Sequence, residues 1–158
     1  GIAAIARSPH LAGLVELDAD SNPIGDRAAC AIAASPHMQR LMTLNLGYGG
    51  KIGDRGAIAL ARSEVLGSLW HLGLDFNAIG DRGATALVGS TRLRSLRRLE
   101  ICYGNRITTT GAVAMARAAA KAPLLEIDLG LGSRISKKGA AALRATSLVP
   151  RHGEPGLG

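Results

Sequence analysis

Several things are scarce in this chain of 158 residues, and each scarcity excludes something. Two cysteines, Cys30 and Cys102, are too few for a disulfide framework. Only four side chains are aromatic, one Trp, two Tyr and one Phe, so the core must be built from Leu, Ile, Val and Ala. No apolar run approaches the length of a membrane span, and no charged stretch leads into an apolar signal segment. The first residue is Gly1 rather than Met, which suggests a piece of a longer or processed protein. The two residues of the SPH turns that could ligate a metal, His10 and His37, sit at equivalent places and read as turn residues. No cofactor motif is complete.

What is plentiful is glycine, apolar residues at 47% and positive charge, with a net charge of +7. That excess would suit an acidic partner, but only once the charges are placed. The stretch LGYGGKIGDRGA, residues 46 to 57, has the layout of a phosphate-cradling loop: an apolar strand, glycines with Lys51 among them, then a helix start. Lys51 is followed by Ile52, however, so the full GxxxxGK[ST] pattern is missing. The loop also has copies elsewhere in the chain.

Those copies reveal the organisation. Ile24, Ile52, Ile79, Ile107 and Ile135 recur at steps of 28, 27, 28 and 28 residues. Gly1, Ala28, Gly56, Gly83, Gly111 and Gly139 recur at the same spacing. Each unit reads LxxLxLxx, a turn, Ile, then a helix. The cleanest is LWHLGLDFNAIGDRGATAL, with Leu69, Leu72, Leu74, Asn77 and Ile79 at the fixed positions. The others are Leu14-Leu17-Ala19-Asn22-Ile24, Leu41-Leu44-Leu46-Ile52, Leu96-Leu99-Ile101-Ile107 and Leu124-Ile127-Leu129-Ile135. Three units carry an extra turn residue and show glycine where the turn Asn is expected. The chain is therefore a partial repeat at 1–13 and five repeats of 27–28 residues, a repeat domain over 1–148, and a polar tail at 149–158.

This pattern resembles the leucine-rich repeat family, in its ribonuclease-inhibitor-like form, and the GAxALA helix start resembles the bacterial GALA-like type. The resemblance implies an α/β solenoid, cut from a longer array, with a parallel sheet on the concave face and helices on the convex face. It implies a protein-binding module or scaffold rather than an enzyme, without cofactor or metal and with no membrane partner. It places the chain in the cytoplasm or among exported effectors.

The spacing itself predicts the shape. LxxLxL alternates inward and outward as a half-buried strand must. Gly25, Gly53, Gly80, Thr108 and Ser136 suit helix N-caps, and Asp26, Asp54 and Asp81 follow where a negative charge suits the helix dipole. Parallel strands repeat every ~4.8 Å, whereas packed helices need ~8–10 Å. The sheet must then line the inside of an arc. Cys30 on a helix and Cys102 on a strand over two units away lie beyond the ~7 Å Cα limit of a disulfide.

Outward strand positions form the candidate binding face: Glu16, Asp18, Asp20, Asn45, Tyr48, His71, Asp75, Phe76, Arg98, Glu100, Tyr103, Glu126 and Asp128. The inner positions hold seven of the twelve acids and one of the nineteen bases. A basic protein partner is expected there. Tyr48, Phe76 and Tyr103 share one repeat position and should stack as a ladder, either a contact surface or edge core. Trp70 reads as packing within its own unit. An alternative surface is the basic edge of the turns, with Arg27, Lys51, Arg55, Arg82, Arg106, Arg134, Lys137 and Lys138, which suits nucleic acid or another phosphate-bearing partner. Arginines beside Asp26, Asp54 and Asp81 would be partly neutralised. Arg98, Glu100, Glu126 and Asp128 gather on adjacent strands, but an open sheet does not desolvate carboxylates for catalysis. Cys102 and His71 are offset by two steps and show no oxyanion loop.

Overall fold

The computed structural model describes residues 1–101, 103–120, 126–128, 135–146 and 149–150. Helices and short strands alternate: α1 Ile2–Arg7, β1 Glu16–Asp18, α2 Asp26–Ala33, β2 Thr43–Asn45, α3 Asp54–Ala61 and β3 His71–Gly73. Then come α4 Asp81–Val88, β4 Arg98–Glu100, α5 Thr109–Ala119, β5 Glu126–Asp128, α6 Lys137–Arg144 and β6 Val149–Pro150. The strands form one parallel sheet in the order β1-β2-β3-β4-β5-β6. Neighbouring helices pack on one another in the same order. These stacked strand–helix units, with one parallel sheet and the helices packed in the same order, form the α/β repeat solenoid that the spacing predicts.

Register explains the core. Leu17, Leu44, Leu72, Leu99 and Ile127 stand abreast, one per strand. Leu41, Leu44, Leu46, Leu69, Leu72 and Leu74 are all fully buried. Ala19, the one departure among these positions in the first unit, is buried too. The sheet continues into Val149–Pro150, which the repeat boundaries assign to the tail. A strand edge offers unpaired backbone groups to whatever chain follows. A proline, which lacks an N–H, is tolerated at such an edge.

The helix ends are served from outside each unit. The Gly53 and Gly56 amides donate to Asp26 Oδ1 at 2.8 and 2.9 Å, and the Gly80 and Gly83 amides to Asp54 Oδ1 at 2.8 and 2.9 Å. Thr108 donates its amide to Asp81 Oδ1 and its hydroxyl to Oδ2, both at 2.7 Å. The Ser136 amide donates to Thr109 Oγ1 at 2.8 Å. Each of α2 to α5 thus caps the N-terminus of the helix that follows it. The aspartates do more than the expected service to their own dipoles: they satisfy the next helix's orphan donors. Gly83 follows from this, because a Cβ there would lie 2.7 Å from Asp54 Oδ1 and 2.9 Å from Ala57 Cβ.

Serines do the reverse at the C-terminal ends. Ser35 donates to the Ala6 carbonyl, Ser63 to Ala33 at 2.6 Å and Ser90 to Ala61 at 2.6 Å. All three are buried. The same oxygens accept amides of the loop that follows, such as Leu66 and Leu93 at 3.1 Å.

The turn asparagines form a third link. Buried Asn77 donates to the Leu46, Leu74 and Asp75 carbonyls and accepts the Ile52 amide at 3.1 Å. Asn105 does the same job one unit on, donating to Leu74 and Ile101 and accepting the Ile79 amide at 2.9 Å. So the fourth unit has its turn Asn, one place later than the alignment suggested. Gly104, at φ 69°, takes up the extra residue. In the second unit glycine does replace Asn. The fifth unit's turn lies outside the described residues.

Asp54→Ala is expected to lower stability by about 1–2 kcal/mol, the usual range for a lost helix cap. Asn77→Ala, which strands buried backbone groups of two units, should cost ~2–3 kcal/mol. Asn22→Ala, at an exposed position, should cost less than 1 kcal/mol. Urea unfolding midpoints of the three variants check this order.

Candidate functional site

Two rows of side chains make the floor of the open sheet face. One runs Glu16, Thr43, His71, Arg98, Glu126; the other runs Asp18, Asn45, Gly73, Glu100, Asp128. Gly73 is bare for a reason: a Cβ there would sit 2.8 Å from Asn45 Oδ1, whose side chain leans across. Asp20 leans over Gly47 in the same way.

The acids of this face are not equivalent. Glu100 is held between Arg98, with Nη2 at 2.5 Å, and His71, with Nε2 at 3.3 Å, and its side chain is only 20% exposed. Arg98 lies beside Glu126 and Glu100 beside Asp128 in register. Asp75, Glu126 and Asp128 also have partners. Glu16, Asp18 and Asp20 have no ion pair. Asp18 Oδ1 accepts the Asp20 amide at 3.0 Å, and Asp20 Oδ2 accepts the Ser21 hydroxyl at 3.0 Å. The expected acidic face therefore has its uncompensated carboxylates at the β1 end and an internally paired cluster at β3–β5.

The aromatic ladder stacks. Tyr48 and Phe76 rings are 4.4 Å apart at 25°, Phe76 and Tyr103 5.5 Å apart at 17°. Their exposures of 57%, 37% and 44% rule out the edge-core reading. Tyr48 and Phe76 adopt left-handed backbone, φ 52° and 50°, as does Ser21 at the same position in the first unit. Their amides donate to the next unit, Tyr48 to Asp75 and Phe76 to Tyr103, both at 2.8 Å. With rings this close, no base fits between them, and only the ring edges and outermost faces remain for a partner.

Trp70 corrects its sequence-based reading. It is 48% exposed, and Val15 and Met42, at the same repeat position, are 44% and 48% exposed. The leucine before it turns inward, and the next outward position belongs to the floor. That three units place an apolar residue here was visible in the alignment.

The glycine loop at 47–53 has no phosphate cradle. The Gly47 amide donates to Asn45 Oδ1, Tyr48 to Asp75, Gly50 to Phe76, Ile52 to Asn77 and Gly53 to Asp26. These five donors are spent inside the solenoid.

On the basic edge, Arg27, Lys51, Arg55, Arg82, Arg106, Lys137 and Lys138 are all exposed and none has an ion pair. The expected neutralisation by Asp26, Asp54 and Asp81 is absent, because those carboxylates face the next helix. Arg134 and Cys102 lie outside the described residues. Cys30 is a free thiol. Among the described residues, no cluster of His, Cys, Asp and Glu could hold a metal ion, and no helix is long and apolar enough to cross a membrane.

A family model described as a leucine-rich repeat matches residues 37–61 and 68–88. Among solved structures, the C-terminal domain of tropomodulin from Caenorhabditis elegans superposes with a TM-score of 0.68 at 16% identity, covering 92% of this chain and 89% of that one. Actin-Binding Site 2 of leiomodin-1 superposes with a TM-score of 0.69 at 15% identity, covering 90% and 86%. At such identities the likeness is one of fold. No curated protein sequence matches the chain.

Stacked rings at left-handed positions set two effects against each other. Phe76→Ala loses both stacks and keeps the backbone strain; Phe76→Gly loses the stacks and relieves it. Phe76→Gly should be the more stable of the two by about 1 kcal/mol. Thermal unfolding of the pair checks this, with the near-ultraviolet circular dichroism of Tyr48 and Tyr103 reporting the lost stack.

Proposed function

We propose that this leucine-rich-repeat chain is a protein-binding module whose open strand face takes a basic partner surface. The observation that carries the reading is the group Glu16, Asp18 and Asp20, three carboxylates without ion pairs on and just after the first strand. Beside them runs a stacked and exposed aromatic ladder. Carboxylates without an ion pair attract and orient a cationic surface. Rigid aromatic edges add contact area at low entropic cost. The paired cluster around Glu100 holds the centre of the floor in one arrangement and contributes shape rather than net attraction. That a solved structure of this fold carries the name of an actin-binding site supports protein partners in general. The repeat length of 27–28 residues supports the ribonuclease-inhibitor-like or GALA-like subtype, as part of a longer array. The strand-face carboxylates among the described residues lie on an open sheet, an arrangement that favours a binding role over an enzymatic one.

A second reading rests on the basic edge. Seven exposed cations without ion pairs face the turns, and the carboxylates that might have quenched them are engaged elsewhere. A row of free cations favours phosphate-bearing partners, with affinity falling steeply as salt rises.

Calorimetric titration with a lysine-rich peptide tests the first reading. The Asp18→Lys, Asp20→Lys double variant should weaken binding by about tenfold or more, since two attractive charges become repulsive. The Lys51→Glu, Arg106→Glu double variant should leave it unchanged or strengthen it. The reverse pattern with a short DNA duplex would support the basic edge. If the peptide binds the first variant as well as the parent, the strand-face reading fails.

A further inference from the structure

The exposed large hydrophobic side chains among the described residues are six, and all six stand in two rows. One row is the ladder Tyr48–Phe76–Tyr103, where the strands end. The other is Val15–Met42–Trp70, where the strands begin. Backbone bonds align this second row: the Met42 amide donates to the Val15 carbonyl at 2.7 Å, Trp70 to Met42 at 2.8 Å and Arg97 to Trp70 at 2.9 Å. The side chains therefore sit on successive strands at ~4.8 Å intervals. The core does not use them, since Leu41 and Leu69, one residue before, are completely buried and fill that role. Scattered exposed apolar residues need no explanation, but a confined row containing the chain's one tryptophan does.

The charge around this row differs from that of the floor. The segments joining α2 to β2, α3 to β3 and α4 to β4 carry Arg40, Arg62, Arg92, Arg94 and Arg97 against a single acid, Glu64. Glu64 is taken by Arg92 at 2.6 Å. The Arg97 guanidinium turns back to the Arg94 and Leu96 carbonyls. Arg40 and Arg94 are exposed without an ion pair, and they lie just before β2 and β4, the neighbours of β3, which Trp70 precedes. One residue past Val15 the acidic floor begins with Glu16.

We infer that the Val15–Met42–Trp70 row is a second docking strip, separate from the acidic floor, for a partner segment that is apolar with flanking carboxylates. Its apolar side chains cover Met42 and Trp70, and its carboxylates reach Arg40 and Arg94. The floor repels such a segment and keeps it on this rim, while it draws cationic segments inward, so the two surfaces sort partners by charge. Tryptophan and arginine together are the composition typical of binding hot spots.

Trp70 is the chain's only tryptophan, so its fluorescence reports on this strip alone. The probe is a short synthetic peptide of leucine, aspartate and glutamate, with a counterpart in which lysine replaces the acids. The acidic peptide should shift Trp70 emission to the blue in a saturable titration. Arg40→Glu with Arg94→Glu should weaken that binding by about tenfold or more. Asp18→Lys, on the floor, should not weaken it. An emission unchanged by the acidic peptide would overturn the inference, as would an equal shift with the lysine peptide, or full affinity in the Arg40→Glu, Arg94→Glu variant. The lysine peptide is titrated against the Asp18→Lys, Asp20→Lys variant, whose floor no longer attracts it, so the strip and the strand-face reading can fail separately.

Discussion

Every helix from α3 to α6 begins by giving backbone amides to a side chain on the helix before it. Asp26, Asp54, Asp81 and Thr109 are those acceptors. A helix start leaves amides without partners inside its own helix. In this chain the N-cap residues provide no side-chain bond of their own. Much else follows. The helix must approach its neighbour closely enough for a carboxylate to reach the amides, so Gly56 and Gly83 face that carboxylate and Ala57 and Ala84 fill the seam. The serines close the opposite helix ends, and Asn77 and Asn105 close the turns, by reaching back to the unit before. Helix ends and turns of one unit are completed by its neighbour, and much of the stability resides in the interfaces between units.

Such a stack converts repeat position into surface position. Whatever residue type recurs at an outward place becomes a row at the strand spacing, whether it is an acid, a ring or a cation. The solenoid displays four such rows or edges: an acidic floor, an aromatic ladder, an apolar rim and a basic turn edge. Net charge hides this arrangement, since a chain at +7 carries its free carboxylates on one strand and its free cations along two rims. Strands β1 to β5 supply only three residues each to the sheet, so the floor is shallow and its side chains lean over glycine neighbours.

The links vary along the stack. The acceptor is an aspartate on α2, α3 and α4, a threonine on α5, and Lys137 stands at that place on α6. A hydroxyl accepts more weakly than a carboxylate, and a lysine does not accept at all. The coupling between neighbouring units is thus strongest from α2 to α5. The floor between β1 and β4 and both apolar rows lie over that part of the stack.

The period of the sequence determined the fold. Leucines at fixed places in each unit can only be buried together if the units stack in register, which fixes parallel strands, helices on the other face and the stacking of Tyr48, Phe76 and Tyr103. Helix starts at Gly25, Gly53, Gly80, Thr108 and Ser136 were legible for the same reason. Only the tertiary structure decided which side chain serves which neighbour. Asp54 looks in sequence like a cap for its own helix and bonds to the next. Glu100 counts as an acid and is spoken for by Arg98 and His71. Trp70 looks like core and stands in solvent. Periodicity reports the direction in which a side chain leaves the backbone; whether it then meets a partner depends on the residue one unit away, and on which of them arrives first within hydrogen-bonding distance.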